Sequence, residues 1–154
     1  MTEQFSSIFL QQVCDKLDEP RVIIKAQSPR FEIVAYNNQF VQISRTQGRE
    51  LIGESMAEIH VWNHVNEEGA LQIYDAMTKA IQTKAIVRLP AVRYDLTTEN
   101  ATVIPCWWQA VYEPLLNSKG TVEYLLCTTH NITALVENGH LGTTKNEFGF
   151  VTNN

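Results

Sequence analysis

The sequence predicts one α+β domain, in which a five-stranded antiparallel sheet has short helices on one face and an N-terminal flanking helix. Two observations lead to this fold class. The chain has 154 residues, which is the length of a single domain. Its apolar residues recur at helical spacing in some segments and form short β-branched or aromatic runs in others, in the order helix, β-hairpin, short helices, long helix and three-stranded meander.

The first element is a helix predicted from about residue 3 to residue 17. Its apolar side chains form one stripe, and the segment ends before Pro20 because the residue before a proline avoids the helical region. We therefore expect residues 1–19 to flank the domain, with the stripe packed on the outer sheet face or on a partner chain. The stripe consists of Phe5, Ile8, Phe9, Val13 and Leu17.

The domain proper is predicted over residues 20–136. Residues 21–26 and 31–36 are strand-like runs joined by a Ser-Pro turn, which predicts a hairpin. Asn37 and Asn38 are suited to cap a short helix, and two further short helices are predicted over 49–53 and 55–60.

The second half of the domain begins with its longest helix, predicted over 67–84 from apolar residues at 3.6-residue spacing. Three strands are predicted to follow over 86–94, 103–116 and 121–133. Residues 95–101 read as a polar turn. The Gly-, Asn- and Thr-rich residues 137–154 are expected to form an irregular tail.

The last hairpin predicts which side chains share a face of the sheet. A loop over 117–120 would pair Leu116 with Thr121, and would set Cys106 opposite Asn131 and Cys127 opposite Ala110. Both faces are apolar, so both are expected to be covered. One face would carry Trp108, Ala110, Tyr112, Leu125, Cys127 and Thr129. The other would carry Trp107, Val111, Leu115, Val122, Tyr124, Leu126 and His130.

Composition and charge disfavour several classes of function. Twelve Lys and Arg against 17 Asp and Glu give a net charge of −5, and the basic residues are scattered, so neither nucleic acid nor an anionic membrane is an expected partner. No apolar run approaches the ~18 residues of a membrane span, and the N-terminus lacks the basic start of a signal peptide, so a cytoplasmic location is expected. Three cysteines without CxxC spacing predict free thiols, and no metal site is expected.

Four phrases of the sequence resemble the PAS domain family. Residues 37–40 (NNQF) and 48–53 (GRELIG) resemble the family's N-x-x-F and R-E-E-L-I-G segments. Residues 112–122 (YEPLLNSKGTV) resemble its P-L-x-D-x-x-G-x-V hairpin, and 130–133 (HNIT) its D-I-T ending, with Asn131 in place of aspartate. The resemblance covers most of the chain and is closest to PAS domains of bacterial sensor histidine kinases. It implies a sensory input and dimerisation module of a two-component system, whose kinase part is a separate segment or partner.

The resemblance also implies a ligand site between the helices and the face that carries Trp108. The reactive cysteine of flavin-binding PAS domains falls at Met56 and their pocket glutamine at Thr129, while helix 67–84 has no histidine for haem. Flavin and haem are therefore not expected, and the ligand stays unknown. The expected lining residues are Phe40, Met56, Ile59, Tyr74, Met77, Trp108, Tyr112, Leu125, Cys127 and Thr129.

Three functions remain open at this point. The first is a homodimeric, non-enzymatic sensor module whose partners are a second copy, a small molecule and a signalling output domain. The second is a small α+β ligand carrier or enzyme with an apolar cavity, which would need acids or a histidine on its inner face. The third is a structural adaptor between proteins. The apolar inner face favours the first. Its dimer or flanking-helix interface would comprise Phe5, Ile8, Phe9, Val13, Trp107, Val111, Tyr124 and Leu126.

Overall fold

A computed structural model describes residues 5–59, 66–98 and 100–139. Five strands form one antiparallel sheet in the order β2-β1-β7-β6-β3, and β4 and β5 form a separate pair, which confirms the predicted α+β class. The elements are α1 (Ser7–Asp15), β1 (Arg21–Lys25), β2 (Ile33–Tyr36), α2 (Asn38–Ser44), a single 3₁₀ turn (Met56–Glu58), α3 (Glu67–Thr83), β3 (Val87–Arg93), β4 (Leu96–Thr97), β5 (Val103–Ile104), β6 (Trp107–Leu116), β7 (Val122–Asn131) and α4 (Thr133–Glu137).

Helices lie on both sides of this sheet. On the inner face, α2 packs on β1 and β7, and α3 packs on β3, β6 and β7. On the outer face, α1 packs on β1 and β2. The approach of α3 to β3 is close at Gly69, where a Cβ atom would lie 2.0 Å from the backbone oxygen of Arg93. Only glycine fits there without a shift of the backbone.

Two predicted segments differ in the structure. Residues 49–53 form a turn rather than a helix, because Gly53 has a φ of 92° and its N–H donates to the Ile33 carbonyl (2.9 Å). The predicted strand 103–116 is interrupted between β5 and β6 at Pro105, which has no N–H to donate to a sheet. β5 therefore belongs to the predicted strand but pairs with β4, which lies in the region predicted as a polar turn.

The last strand is also shorter than predicted. The last strand ends at Asn131, and residues 133–137 form the short helix α4, which the sequence did not indicate. The Asn131 side chain accepts hydrogen bonds from the Thr133 N–H (3.0 Å) and hydroxyl (2.6 Å), which turns the chain out of the sheet. Most of the tail predicted over 137–154 lies outside the described residues.

The register of the β6–β7 hairpin is shifted by two residues from the predicted one. Asn117 pairs with Thr121 across a three-residue turn, and Glu123 is then an extra residue between the pairs Leu116–Val122 and Leu115–Tyr124. Because side chains alternate with a period of two, this shift leaves each residue of the central ladder on its predicted face. The predicted pairs are wrong, however: Asn131 lies opposite Trp108, and Cys127 lies opposite Tyr112.

The extra residue also corrects the placement of Val122. The prediction put Val122 on the same face as Tyr124, but the structure buries Val122 in the inner cluster and Tyr124 in the outer one. A bulge inserts one residue and so reverses the alternation on one side of it.

Candidate functional site

The inner face of the sheet and the helices enclose the main buried cluster of the described residues. It gathers side chains from β1, β2, α2, α3, β6 and β7 and is almost wholly apolar. Six of the ten residues predicted to line a ligand site lie in this cluster: Phe40, Ile59, Met77, Tyr112, Leu125 and Cys127. Met56 packs against it from the 3₁₀ turn.

The other three predicted lining residues lie nearer its borders. Trp108 belongs to a neighbouring cluster with Val92 and Leu96. Thr129 is half-buried and lies opposite Ala110. Tyr74 is 38% exposed, and its ring meets Phe31 edge-on while its hydroxyl donates to Ser28 (3.2 Å). Tyr74 therefore lies at the rim of the cluster rather than inside it.

The Tyr112 phenol is the most unusual polar group on the inner face. The residue is 5% exposed, and its side chain lies among the apolar residues of the main cluster. Burial raises the pKa of Tyr112 and that of its neighbour Cys127 above their ordinary values, so both groups are protonated at neutral pH. The hydroxyl is therefore a neutral hydrogen-bond donor in apolar surroundings.

A buried polar cluster beside Trp108 was not found from the sequence. Asn66 and Asp95 exchange two hydrogen bonds, from Asn66 Nδ2 to the Asp95 carbonyl (2.9 Å) and from the Asp95 N–H to Asn66 Oδ1 (2.6 Å). The Asp95 carboxylate also accepts two bonds from Arg93 (2.8 and 3.0 Å) and one from the Cys106 N–H (3.1 Å). These bonds join the start of α3 to the β4–β5 pair, so we assign the cluster a structural role.

The charge in this polar cluster is fixed by the same contacts. The Arg93 guanidinium holds the pKa of the Asp95 carboxyl below its ordinary value, and Asp95 in turn raises the pKa of Arg93. Trp108 completes the corner by donating from its indole Nε1 to the Tyr94 carbonyl (2.7 Å).

The outer face holds a second apolar cluster beneath α1. Leu10 and Cys14 of α1 are buried against Ile23, Tyr124 and Leu126, with Phe5 and Val13 packed at the edge. The N-terminal helix therefore covers the outer face, as predicted, but with a different stripe. Ile8 is 73% exposed and Phe9 46% exposed, and Leu17 lies beyond the helix and is also exposed.

The reason for this difference is that the helix is shorter and rotated. Ser6 caps its start by accepting from the Phe9 N–H (3.1 Å), and the helix spans only Ser7–Asp15. Leu10 and Cys14 are four residues apart and therefore share one face of the helix. Neither belongs to the predicted stripe, and Cys14 was considered only as a free thiol. Free cysteine is among the most buried residue types and behaves as a small apolar side chain.

The remaining predicted interface residues divide into two groups. Tyr124 and Leu126 are already buried beneath α1 within one chain. Trp107 and Val111 lie on the outer side of β6, opposite Arg93 and Arg88 of β3, and are half-exposed. His130 lies on the same side and contacts Glu19 (3.6 Å).

The three cysteines are free, as predicted. No group of three or more His, Cys, Asp or Glu side chains that could hold a metal ion occurs within 5–59, 66–98 and 100–139. None of the helices in the described part of the chain is both long and apolar enough to cross a membrane. His60 and His64, which precede the predicted helix 67–84, lie outside the described residues.

Comparisons with known proteins agree with this architecture. The sequence matches the family described as PAS fold over residues 17–137. The PAS domain of the fruit-fly ELK potassium channel is similar with a TM-score of 0.59 and 20% identity, over 81% of this chain and 98% of that one. The Rhodobacter sphaeroides LOV protein has a TM-score of 0.60 and 16% identity, over 85% and 68% of the two chains.

A third solved structure is the PAS domain of a Colwellia psychrerythraea protein, with a TM-score of 0.57 and 14% identity over 80% of this chain and 93% of that one. No match was found among curated proteins. Fold and comparisons together define a helix-covered antiparallel α+β sensor fold, in which a flanking helix covers the second face of the sheet. The chain belongs to the PAS fold family, whose members are generally sensory and non-catalytic modules.

Proposed function

We propose that this chain is a non-enzymatic sensory input module that binds a small molecule between the sheet and helices α2 and α3. The observation that carries the proposal is that six of the ten predicted lining residues come together in the main cluster, among them Tyr112 with its buried phenol. A phenol among apolar side chains offers a hydrogen-bond donor to a molecule that binds beside it.

The surroundings of Tyr112 define the chemistry of the proposed ligand. Its hydroxyl is a protonated donor, so the ligand must offer an oxygen or nitrogen acceptor. The neighbouring side chains are apolar, and the buried carboxylate of Asp95 lies outside the main cluster, beside Cys106. An unpaired charge in such a site would carry a large desolvation cost, so the ligand is expected to be a small, uncharged and mainly apolar molecule with one acceptor.

Native mass spectrometry of the protein as purified tests this proposal. We expect an added mass of a few hundred daltons, or the capture of such a molecule from a small-molecule library followed by the same method. Tyr112→Phe should weaken binding by about tenfold, which corresponds to the loss of one buried hydrogen bond.

The matched control is Tyr124→Phe, which removes a hydroxyl from a buried tyrosine on the opposite face. It should leave ligand binding unchanged. Equal effects of the two substitutions on ligand binding would contradict a site on the inner face. A library that yields no binder would contradict the proposal that the protein binds a small molecule.

We further propose that the module forms a homodimer through the exposed face of α1 and the adjoining outer side of β6. Ile8 and Phe9 are exposed apolar residues on a helix that already packs through its other side, and Trp107 and Val111 are half-exposed. Aromatic and aliphatic residues of this kind form the centre of protein interfaces.

Analytical ultracentrifugation at several protein concentrations tests the dimer. Phe9→Glu should shift the protein to monomers that keep the wild-type circular dichroism spectrum. The control is Gln12→Glu, an exposed substitution of the same charge on the same helix. A wild-type protein that is monomeric at high concentration would remove the dimer from the proposal.

The biological setting that we propose is a cytoplasmic two-component system, in which a histidine kinase or another output domain reads the module. The resemblance in sequence to sensor-kinase PAS domains supports a histidine kinase as the output domain. Three unpaired thiols favour a reducing compartment. Identification of the chain's neighbours by crosslinking in cells would test this setting. Crosslinks to a kinase or a response regulator would support it, and their absence from a crosslinked set rich in other partners would contradict it.

A further inference from the structure

Asn37 is a buried side chain at the junction of β2 and α2, and it bonds to four separate segments. Its Oδ1 accepts from the Arg21 N–H and the Phe40 N–H, both at 3.0 Å. Its Nδ2 donates to the carbonyls of Cys14 (2.8 Å) and Glu19 (2.6 Å). A carboxamide has two donors and two acceptor positions, so every one of them is used.

The four bonds connect opposite sides of the sheet. Phe40 lies in α2 on the inner face, and its ring is buried in the main cluster. Cys14 lies in α1 on the outer face, and Glu19 lies in the connection between α1 and β1. Asn37 is thus in direct contact with the first turn of the inner helix and the last turn of the outer helix.

The attachment of α1 depends on this corner to an unusual degree. A helix of nine residues is unstable alone, and only Leu10 and Cys14 of its residues are buried. Three hydrogen bonds hold it to the ends of β1 and β2: Gln11 to the Tyr36 carbonyl (2.7 Å), Arg21 to the Val13 carbonyl (2.9 Å), and Asn37 to the Cys14 carbonyl. Of the three side chains that form these bonds, only Asn37 also bonds to α2.

We propose that Asn37 couples the position of α2 to the attachment of α1, so that loosening either helix loosens the other. The physical link is the Asn37 carboxamide, because a movement of the Phe40 N–H rotates the group that holds the Cys14 and Glu19 carbonyls. Gln39 of α2 also donates to Asp18, but Asp18 lies in the connection after α1 and not in α1 itself. This coupling is a property of the protein without any ligand. The further interpretation, that a ligand on the inner face changes the outer surface through this coupling, rests on the proposed function.

The test is hydrogen–deuterium exchange of the full chain, followed separately in peptides from α1 and from α2. Asn37→Ser keeps a hydroxyl that accepts from the Phe40 N–H, since serine is a good helix cap, but it is too short to reach the carbonyls of Cys14 in α1 and of Glu19. We expect α1 to exchange about tenfold faster, the effect of two lost hydrogen bonds, and α2 to change little. Asn38→Ser, at the exposed neighbouring amide, is the control and should change neither helix.

The coupling itself is measured by a double-mutant cycle. Leu10→Ala loosens α1 from the outer cluster, and in the wild-type background it should also accelerate exchange in α2. In the Asn37→Ser background the same substitution should leave α2 exchange unchanged. Should Asn37→Ser not fold, Asn37→Asp takes its place, because it keeps the acceptors and removes both donors.

Two results overturn the inference. An unchanged α1 in Asn37→Ser would show that the amide does not hold the helix. Asn37 does not carry the coupling if Leu10→Ala leaves α2 exchange unchanged in the wild-type background. The same conclusion follows if Leu10→Ala accelerates α2 exchange equally in both backgrounds. Neither result depends on a ligand, so failure here is distinguishable from failure of the proposed small-molecule site.

Discussion

Leu10 and Ile8 lie two residues apart on α1 and have opposite surroundings, so alanine substitutions at these positions measure which face of the helix is attached. Leu10 is 2% exposed in the outer cluster, whereas Ile8 is 73% exposed. Both residues belong to the same nine-residue helix, and both substitutions leave alanine, the best helix former. Any difference between the two variants therefore reports packing rather than helix propensity.

The expected magnitude follows from burial. Leu10→Ala removes three carbon atoms from a closed apolar site, at about 0.8 kcal/mol per buried methylene plus a term for the cavity. The outer cluster is small and bordered by half-buried Phe5 and Val13, so partial collapse will limit the cavity term. We expect a loss of about 2–3 kcal/mol in the free energy of unfolding, against less than about 0.5 kcal/mol for Ile8→Ala.

Urea-induced unfolding followed by tryptophan fluorescence measures both values. Measurements at two protein concentrations separate folding from association, because a dimer that contacts Ile8 adds a concentration-dependent contribution. Equal losses in the two variants at low concentration would refute the reasoning. A larger loss for Ile8→Ala would mean that the stripe predicted from the sequence is the one that faces the sheet.

Three further predictions concern the inner side of the sheet. Without ligand, Tyr112→Phe should change the free energy of unfolding by no more than about 1.5 kcal/mol, because the ring keeps its volume and its contacts in the main cluster; a larger loss in urea unfolding would contradict this. Asp95→Asn should destabilise the protein at neutral pH, and its difference in stability from wild type should shrink below about pH 4. A carboxyl whose pKa is depressed in the folded state contributes stability above its unfolded pKa of about 3.9, and this contribution is lost as the pH falls through the folded pKa. A pH series of thermal melts checks this. Gly69→Ala should lower the free energy of unfolding by about 1–3 kcal/mol, although alanine is the better helix former, because its Cβ would meet the Arg93 carbonyl; increased stability would contradict the close approach.

The faces of the sheet were predictable from the sequence because successive side chains of a strand point to opposite faces. Residues of β6 and β7 kept their predicted faces although the loop pairs Asn117 rather than Leu116 with Thr121 and a bulge follows. Each of these two irregularities shifts the register by one, so together they restore the alternation. Only Val122, which lies between them, was placed on the wrong face.

The attachment of α1 was not predictable in the same way. Its sequence offers two overlapping apolar stripes, and the choice between them depends on where the helix is capped and on the carboxamide of Asn37, which lies more than twenty residues away in sequence. The polar cluster around Asp95 escaped prediction for a similar reason. It joins Asn66 before α3 to Asp95 before β4 and Cys106 before β6, and no local pattern relates them.

Each of the three cysteines belongs to a different buried cluster, and this distribution makes the thiols natural probes of separate motions. Cys14 lies beneath α1, Cys127 beneath α2 and α3, and Cys106 beside Asp95. Burial raises the pKa of Cys14 to about 12, so neither access nor ionisation permits alkylation while the helix is attached. The rate at which each thiol is alkylated in the native protein therefore records how often its own layer opens. Detachment of the flanking helix would modify Cys14 alone, and global unfolding would modify all three together.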